Sequence, residues 1–199
     1  MVPRKGLSPV PQSICVYSSS SNHLDERYFA AARELGRLMG TRGHTLVFGG
    51  GNIGLMNAMA VEVQQSGGKV VGVIPIALRR KQWCLETVGE LIVTDGMRDR
   101  KAIMEERAEA FIAMPGGFGT LEELLEIITL KQLHYHAKAI VILDVDGYYD
   151  PLLQQFERMY REGFARQKFS DLYHVAADAA EALDYIERYC PPGDLPEKA

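Results

Sequence analysis

Ten residues, Met114 to Glu123 ("MPGGFGTLEE"), bring together groups that could hold and cleave a small anionic substrate. Gly116, Gly117 and Gly119 let backbone N–H groups approach an anion closely. Glu122 and Glu123 follow with two carboxylates, and a carboxylate beside a developing positive centre can stabilise it, hold hydroxyls or activate water. A second stretch, "MRDRK" (97–101), sets Arg98, Arg100 and Lys101 at the start of a helical pattern, where the helix dipole disfavours cations. Paired with a phosphate or a carboxylate that placement makes sense, and arginine offers bidentate geometry for either. A third, "GGGNIGLM" (49–56), matches G-x-G-x-x-G at Gly49, Gly51 and Gly54, where a helix N-terminus could add favourable partial charge for a phosphate.

Each stretch also has a plainer account. Thr120 and Glu123 form an S/T-x-x-E capping box, worth about 1 kcal/mol to a helix that Thr120 would open. That explains Thr120 and one glutamate, but neither the three glycines nor Glu122. The basic run can be an exposed helix start, and the first glycine loop a tight packing turn. Dinucleotide binding needs an acidic ribose reader about 20 residues beyond the glycines. The chain there reads "VVGVIPIAL", and no G-K-[ST] follows the glycines, so neither an NAD oxidoreductase nor a P-loop is supported.

The elements that must position these residues alternate along the chain. Apolar, β-rich runs predict strands at 13–17, 44–48, 69–74, 90–94, 109–114, 138–143 and 172–176. Amphipathic stretches predict helices at 25–40, 53–66, 98–107, 120–133, 148–162 and 178–189, with Leu121, Leu124, Leu125, Ile128 and Leu133 as the apolar side of the fourth. Nearly continuous apolar strands separated by helices imply a parallel sheet covered on both faces. The expectation is an α/β fold: a doubly wound parallel sheet of about seven strands in a three-layer α/β/α sandwich. One domain spans 13–189, with 1–12 and 190–199 as flexible tails. Ligands of such sheets bind beyond the carboxyl ends of the strands, where all three stretches fall.

Composition narrows the function. With 199 residues, 47% apolar and 24% charged, the chain has ordinary globular make-up. Its net charge of −4 argues against a general nucleic-acid partner. Cys15, Cys84 and Cys190 lie far apart with no C-x-x-C, which suggests reduced thiols and a cytoplasmic protein. No H-E-x-x-H or clustered ligand set points to a metal. The N-terminal "MVPRKGLSPVPQ" lacks the apolar core of a signal peptide, and no run approaches the roughly 20 residues of a membrane span.

The order "GGGNIGLM", "MRDRK", "PGGFGTLEE", each after a strand, resembles the LOG (Lonely Guy) family of cytokinin riboside 5′-monophosphate phosphoribohydrolases, whose members often carry the label "lysine decarboxylase". The likeness runs from "ICVYSSSS" to "DPLLQQFERMYREGF". It implies a Rossmann-like fold, a homodimer or an assembly of dimers, and hydrolysis of the N-glycosidic bond of an N6-modified AMP to free base and ribose 5-phosphate, without a cofactor. It implies Arg100 and Glu123 as the catalytic pair. As substrate contacts it implies Gly50, Gly51, Lys101, Gly116, Gly117, Phe118, Gly119, Thr120, Leu121, Glu122 and Thr129 besides Arg100. Gln82 stands where some plant-like members carry a glutamate, which puts the base preference in question. A decarboxylase using pyridoxal phosphate needs a Schiff-base lysine that nothing here singles out. Two rivals share the loops: a non-catalytic nucleotide or molybdenum-cofactor carrier, and a general purine-nucleotide nucleosidase.

Overall fold

The computed structural model describes residues 12–191. Seven strands form one sheet: β1 (Ser13–Tyr17), β2 (Thr45–Phe48), β3 (Lys69–Pro75), β4 (Glu90–Thr94), β5 (Ala110–Ala113), β6 (Ala139–Leu143) and β7 (His174–Ala176). Their spatial order is β4-β3-β2-β1-β5-β6-β7 and every pairing is parallel. Parallel neighbours require crossovers, which the helices supply. These are α1 (Glu26–Thr41), α2 (Gly54–Gln65), α3 (Ile76–Arg79), α4 (Met97–Arg107), α5 (Phe118–Gln132), α6 (Asp150–Arg161) and α7 (Ala179–Arg188).

Two apolar cores result, one on each face of the sheet. Leu35 and Met39 of α1, Leu55 and Met59 of α2 and Leu183 of α7 bury one face with Leu46 and Ile112. Met104 of α4, Leu124 and Ile127 of α5 and Phe156 of α6 bury the other with Val73 and Phe111. All seven predicted strands are present, and the six predicted helices match within about two residues. The short α3 and two 3₁₀ turns, Val145–Gly147 and Gln167–Leu172, carry too few residues to show a period in the sequence.

The apolar side expected for α5 is corrected. Leu124 is buried, but Leu125 and Leu133 are exposed, and the buried residues of the helix are Thr120, Glu123, Leu124, Ile127 and Lys131. The inward face carries a carboxylate and an ammonium because it borders a polar cavity at one end and meets the Leu172 carbonyl at the other, 2.9 Å from Lys131 Nζ. Of the expected tails, Gln12 donates its N–H to His44 Nδ1 at 3.2 Å, and Cys190 and Pro191 follow α7. The remainder of both tails lies outside the described residues.

Candidate active site

The winding of the sheet reverses between β1 and β5, since the chain moves outward from β1 through β2, β3 and β4 and then returns to the other side of β1. A crevice opens at such a switch point beyond the strand ends. Here it is a cavity of about 670 Å³. The loop after β1 supplies Ser18 to Ser21, the loop after β2 supplies Gly49 and Gly51, and the start of α5 supplies Gly117 to Thr120 with Glu122 and Glu123. Arg100 of α4 completes the polar side, while Ile74, Leu78, Trp83, Met56 and Met97 make an apolar one.

Arg100 and Glu123 are both about 8% exposed and meet at 3.0 Å, Nη1 to Oε1. Arg100 Nε also donates to the Val73 carbonyl at 3.2 Å, so the guanidinium is anchored to the end of β3 before it reaches the carboxylate. Its Nη2 lies 1.8 Å from where a Cβ at Gly49 would stand, so a side chain at that glycine would have to displace the guanidinium. Burial pushes the Glu123 carboxyl above its ordinary range. Arg100 opposes that shift and the charge of Glu122 adds to it, so desolvation outweighs the ion pair.

The capping box does not form. α5 begins at Phe118 with Gly117 as its N-cap and no side-chain cap, so Thr120 lies inside the first turn. Glu123 reaches across to α4 instead of back along its own helix, because a buried guanidinium is a stronger partner than a backbone N–H. Thr120 packs on Gly116, where a Cβ would stand 2.1 Å from its Oγ1. The N–H groups of Phe118, Gly119 and Thr120 precede the first intrahelical bond, Leu121 N–H to the Gly117 carbonyl. An uncapped N-terminus of a fifteen-residue helix therefore faces the cavity with its donors and its positive dipole end.

The first glycine loop behaves differently. At the start of α2, Gly54 N–H donates to Asn22 Oδ1 at 2.7 Å and Leu55 N–H to the Ser19 carbonyl at 3.0 Å. Gly54 has φ +64°, and a Cβ there would meet Ser19 O at 2.6 Å. These donors hold the serine loop, so the packing-turn account describes the α2 N-terminus.

The remaining implied contacts divide. Gly51, Arg100, Gly117, Phe118, Gly119, Thr120, Glu122 and Glu123 line the cavity, whereas Gly50, Lys101, Gly116, Leu121 and Thr129 do not. Lys101 Nζ pairs with Glu122 and, at 2.9 Å, with Glu126, and so ties α4 to α5. Leu121 packs into the core, and Thr129 Oγ1 donates to the Leu125 carbonyl at 2.7 Å. Gly50 and Gly116 lie just beneath, their carbonyls accepting from Leu85 N–H and from Tyr148 Oη. Gln82 has φ 59° and its carbonyl accepts from Asn52 Nδ2 at 2.9 Å; its neighbour Trp83 is the one that lines the cavity. Ser18 to Ser21, Trp83, Met56 and Met97 are among the lining residues that sequence reasoning missed. The serine run was legible, as four hydroxyls directly after a predicted strand end.

Among the described residues no cluster of three His, Cys, Asp or Glu could hold a metal ion, and no helix is long and apolar enough to cross a membrane.

The profile of the family described as "Possible lysine decarboxylase" matches residues 56–186. The chain is 44% identical over 178 residues to "Cytokinin riboside 5'-monophosphate phosphoribohydrolase LOG" of Oryza sativa subsp. japonica, covering 89% of this chain and 74% of that protein. It is 41% identical over 181 residues to the LOG5 protein of that description from Arabidopsis thaliana, covering 91% of this chain and 79% of the relative. This chain belongs to the LOG family. The fold is shared with solved structures of molybdenum-cofactor proteins. The molybdenum cofactor carrier protein of Chlamydomonas reinhardtii is 26% identical with a TM-score of 0.68, covering 90% of this chain and 98% of that one. The molybdenum cofactor binding protein of Rippkaea orientalis, 21% identical with a TM-score of 0.68 over 89% of this chain and 96% of its own, shares the fold.

Proposed function

We propose that this LOG-family chain hydrolyses the N-glycosidic bond of cytokinin riboside 5′-monophosphates. The bond from C1′ to the base nitrogen breaks, the oxygen of water joins C1′, its proton is accounted for on the departing base, and ribose 5-phosphate remains. The single observation that carries the reading is the buried Arg100–Glu123 pair, set in one cavity with an uncapped helix N-terminus. A passive phosphate site gains nothing from a carboxylate beside it. A sugar centre with oxocarbenium character does.

The residues divide the work. Glu123 stabilises the charge at C1′, holds ribose hydroxyls and activates water; Arg100 orients that carboxylate through their ion pair. The α5 N-terminus takes the 5′-phosphate, so remote binding energy positions the sugar for attack. Glu122 and Lys101 brace this turn. Gly50 and Gly116 shape the two loops, and Leu121 and Thr129 hold α5. The apolar wall of Leu78, Trp83 and Met97 suits a base with an apolar N6 substituent. The names of the Oryza sativa and Arabidopsis thaliana relatives point to the same substrate class.

Glu123→Gln keeps shape and hydrogen bonding. Base release from N6-isopentenyl-AMP should fall about 10²–10⁴-fold while nucleotide still binds. Near-normal turnover by this variant would end the proposal. The likeness to a molybdenum cofactor carrier favours one second reading, a carrier. Tight AMP binding by the unaltered protein with no base release would support it. Comparable rates on AMP and its prenylated form would instead mark a general purine-nucleotide nucleosidase.

The protein works as a homodimer in a reducing cytoplasm. Val93, Met97, Phe118 and Leu125 are exposed apolar side chains on and beside α4 and α5 that a second copy would cover, and the three cysteines are free thiols.

A further inference from the structure

Two consecutive tyrosines hold the carbonyl oxygens of the turn between β5 and α5. Tyr149 Oη donates to the Met114 carbonyl at 2.6 Å, and Tyr148 Oη to the Gly116 carbonyl at 2.5 Å. Both phenols follow the 3₁₀ turn after β6. Asp146 and Gly147 stand there in left-handed backbone, φ 52° and 72°, which a residue other than glycine seldom adopts. Tyr149 N–H donates to Asp144 Oδ1 at 2.7 Å, and Asp146 pairs with Arg27 at 3.4 Å. Tyr28 and Tyr149 brace the Tyr148 ring edge-on, with centroids 5.8 and 5.0 Å away.

The two carbonyls differ in what lies across the peptide. Met114 is followed by Pro115, which has no N–H. The Gly116 carbonyl shares its trans peptide with Gly117 N–H, and the two point in opposite directions. Gly116 is buried and, like Tyr148, does not line the cavity, whereas Gly117 is exposed and does. The bond to Tyr148 therefore turns the oxygen away from the cavity and the N–H towards it. A glycine on each side makes this peptide easy to turn over. Rotation would carry φ of Gly117 from −87° to positive values, which glycine adopts readily and other residues rarely do. The oxygen would then enter the cavity, where water can satisfy it, and would repel an anion held there.

We infer that Tyr148 is a positioning residue: its hydroxyl latches the Gly116–Gly117 peptide with the N–H towards the cavity, and so sets the affinity for a nucleoside monophosphate. The inference rests on the nucleotide-monophosphate reading for the identity of the anion. It adds a group outside the cavity that fixes the polarity of the backbone inside it. Tyr148 itself touches no substrate. It keeps the binding-competent turn populated, and apparent affinity falls in proportion when only a fraction of molecules is competent. Tyr149 has no such role, because no N–H lies across from the carbonyl it holds; it anchors the turn to the end of β5.

The test is a double-variant cycle of Tyr148→Phe and Gly117→Ala in a Glu123→Gln background, which prevents turnover, by calorimetric titration with AMP and with adenosine. Tyr148→Phe keeps the ring and should weaken AMP about 3- to 10-fold, the range for one neutral hydrogen bond. Adenosine should change less than about twofold. Gly117→Ala adds a Cβ that meets nothing within 4 Å at the present φ but opposes the positive φ of the turned peptide. In that background Tyr148→Phe should alter AMP affinity less than about twofold. The loss should appear instead as a lower melting temperature, because the Gly116 carbonyl stays buried and unmatched. An AMP affinity unchanged by Tyr148→Phe in the Gly117 protein overturns the assignment. Equal losses for AMP and adenosine, or equal AMP losses in both backgrounds, also overturn it and leave Tyr148 a scaffold residue. If the unaltered protein binds AMP but releases no base, the hydrolase reading falls while these affinities still decide the role of Tyr148. Failure of the Glu123→Gln protein to bind AMP removes both.

Discussion

Glu123 illustrates how burial sets the chemistry of one residue. Its carboxyl is raised because the cost of desolvating the anion exceeds what Arg100 returns, with Glu122 adding to the shift. In the proposed mechanism the ionised form is the one that stabilises positive charge at C1′. The acid limb of kcat/KM should accordingly lie above pH 4.5, the ordinary value for this group, and a pH–rate profile checks it. The linkage to stability has a definite sign. The folded state holds the proton more tightly than the unfolded chain, so this group's contribution is complete below pH 4.5 and is lost as pH rises through the raised folded value. Glutamine does not titrate. The melting temperature of Glu123→Gln relative to the unaltered protein should therefore climb as pH rises from 4 towards neutrality; a flat difference would mean that Glu123 titrates alike in both states.

At the scale of elements, the junctions matter more than the elements. Two glycines in the same cavity wall should respond oppositely. Gly49→Ala places a Cβ on Arg100 Nη2, so the guanidinium must leave Glu123 and base release should drop about 10- to 100-fold, measured with fold retention followed by circular dichroism. Gly119→Ala meets nothing within 4 Å and lies in helical backbone, so it should stabilise the fold by about 0.4–1 kcal/mol while weakening the phosphate ester it crowds. Thermal melts and AMP titrations on the one variant separate the two effects. Strand and helix order was readable in the sequence because nearly continuous apolar runs and 3.6-residue spacing are local signals. The Arg100–Glu123 pair was not readable from spacing alone. Its partners are 23 residues apart, and T-x-x-E looks the same whether the glutamate folds back on Thr120 or crosses to α4; only the family resemblance singled it out.

For the molecule as a whole, charge and apolar exposure are unevenly arranged around the cavity. Lys101 bridges α4 to Glu122 and Glu126 of α5, and Arg100 bridges the same helices through Glu123, so three ion pairs tie these two helices together. Yet Phe118 is 92% exposed at the cavity rim, and Leu125 and Val93 are also open to solvent. A monomer gains nothing from holding a phenylalanine in water beside its site. A second copy would bury it, and a standard interface needs about 800 Å² from each partner, within reach of two helix faces and a sheet edge. Leu125→Asp places a charge on that face without touching the core. In light scattering coupled to gel filtration the unaltered chain should elute at twice the 22.2 kDa chain mass, and the variant at the single-chain mass with an unchanged circular dichroism spectrum. A unaltered chain of single mass would remove the dimer, while a variant that stays paired would move the interface away from α5.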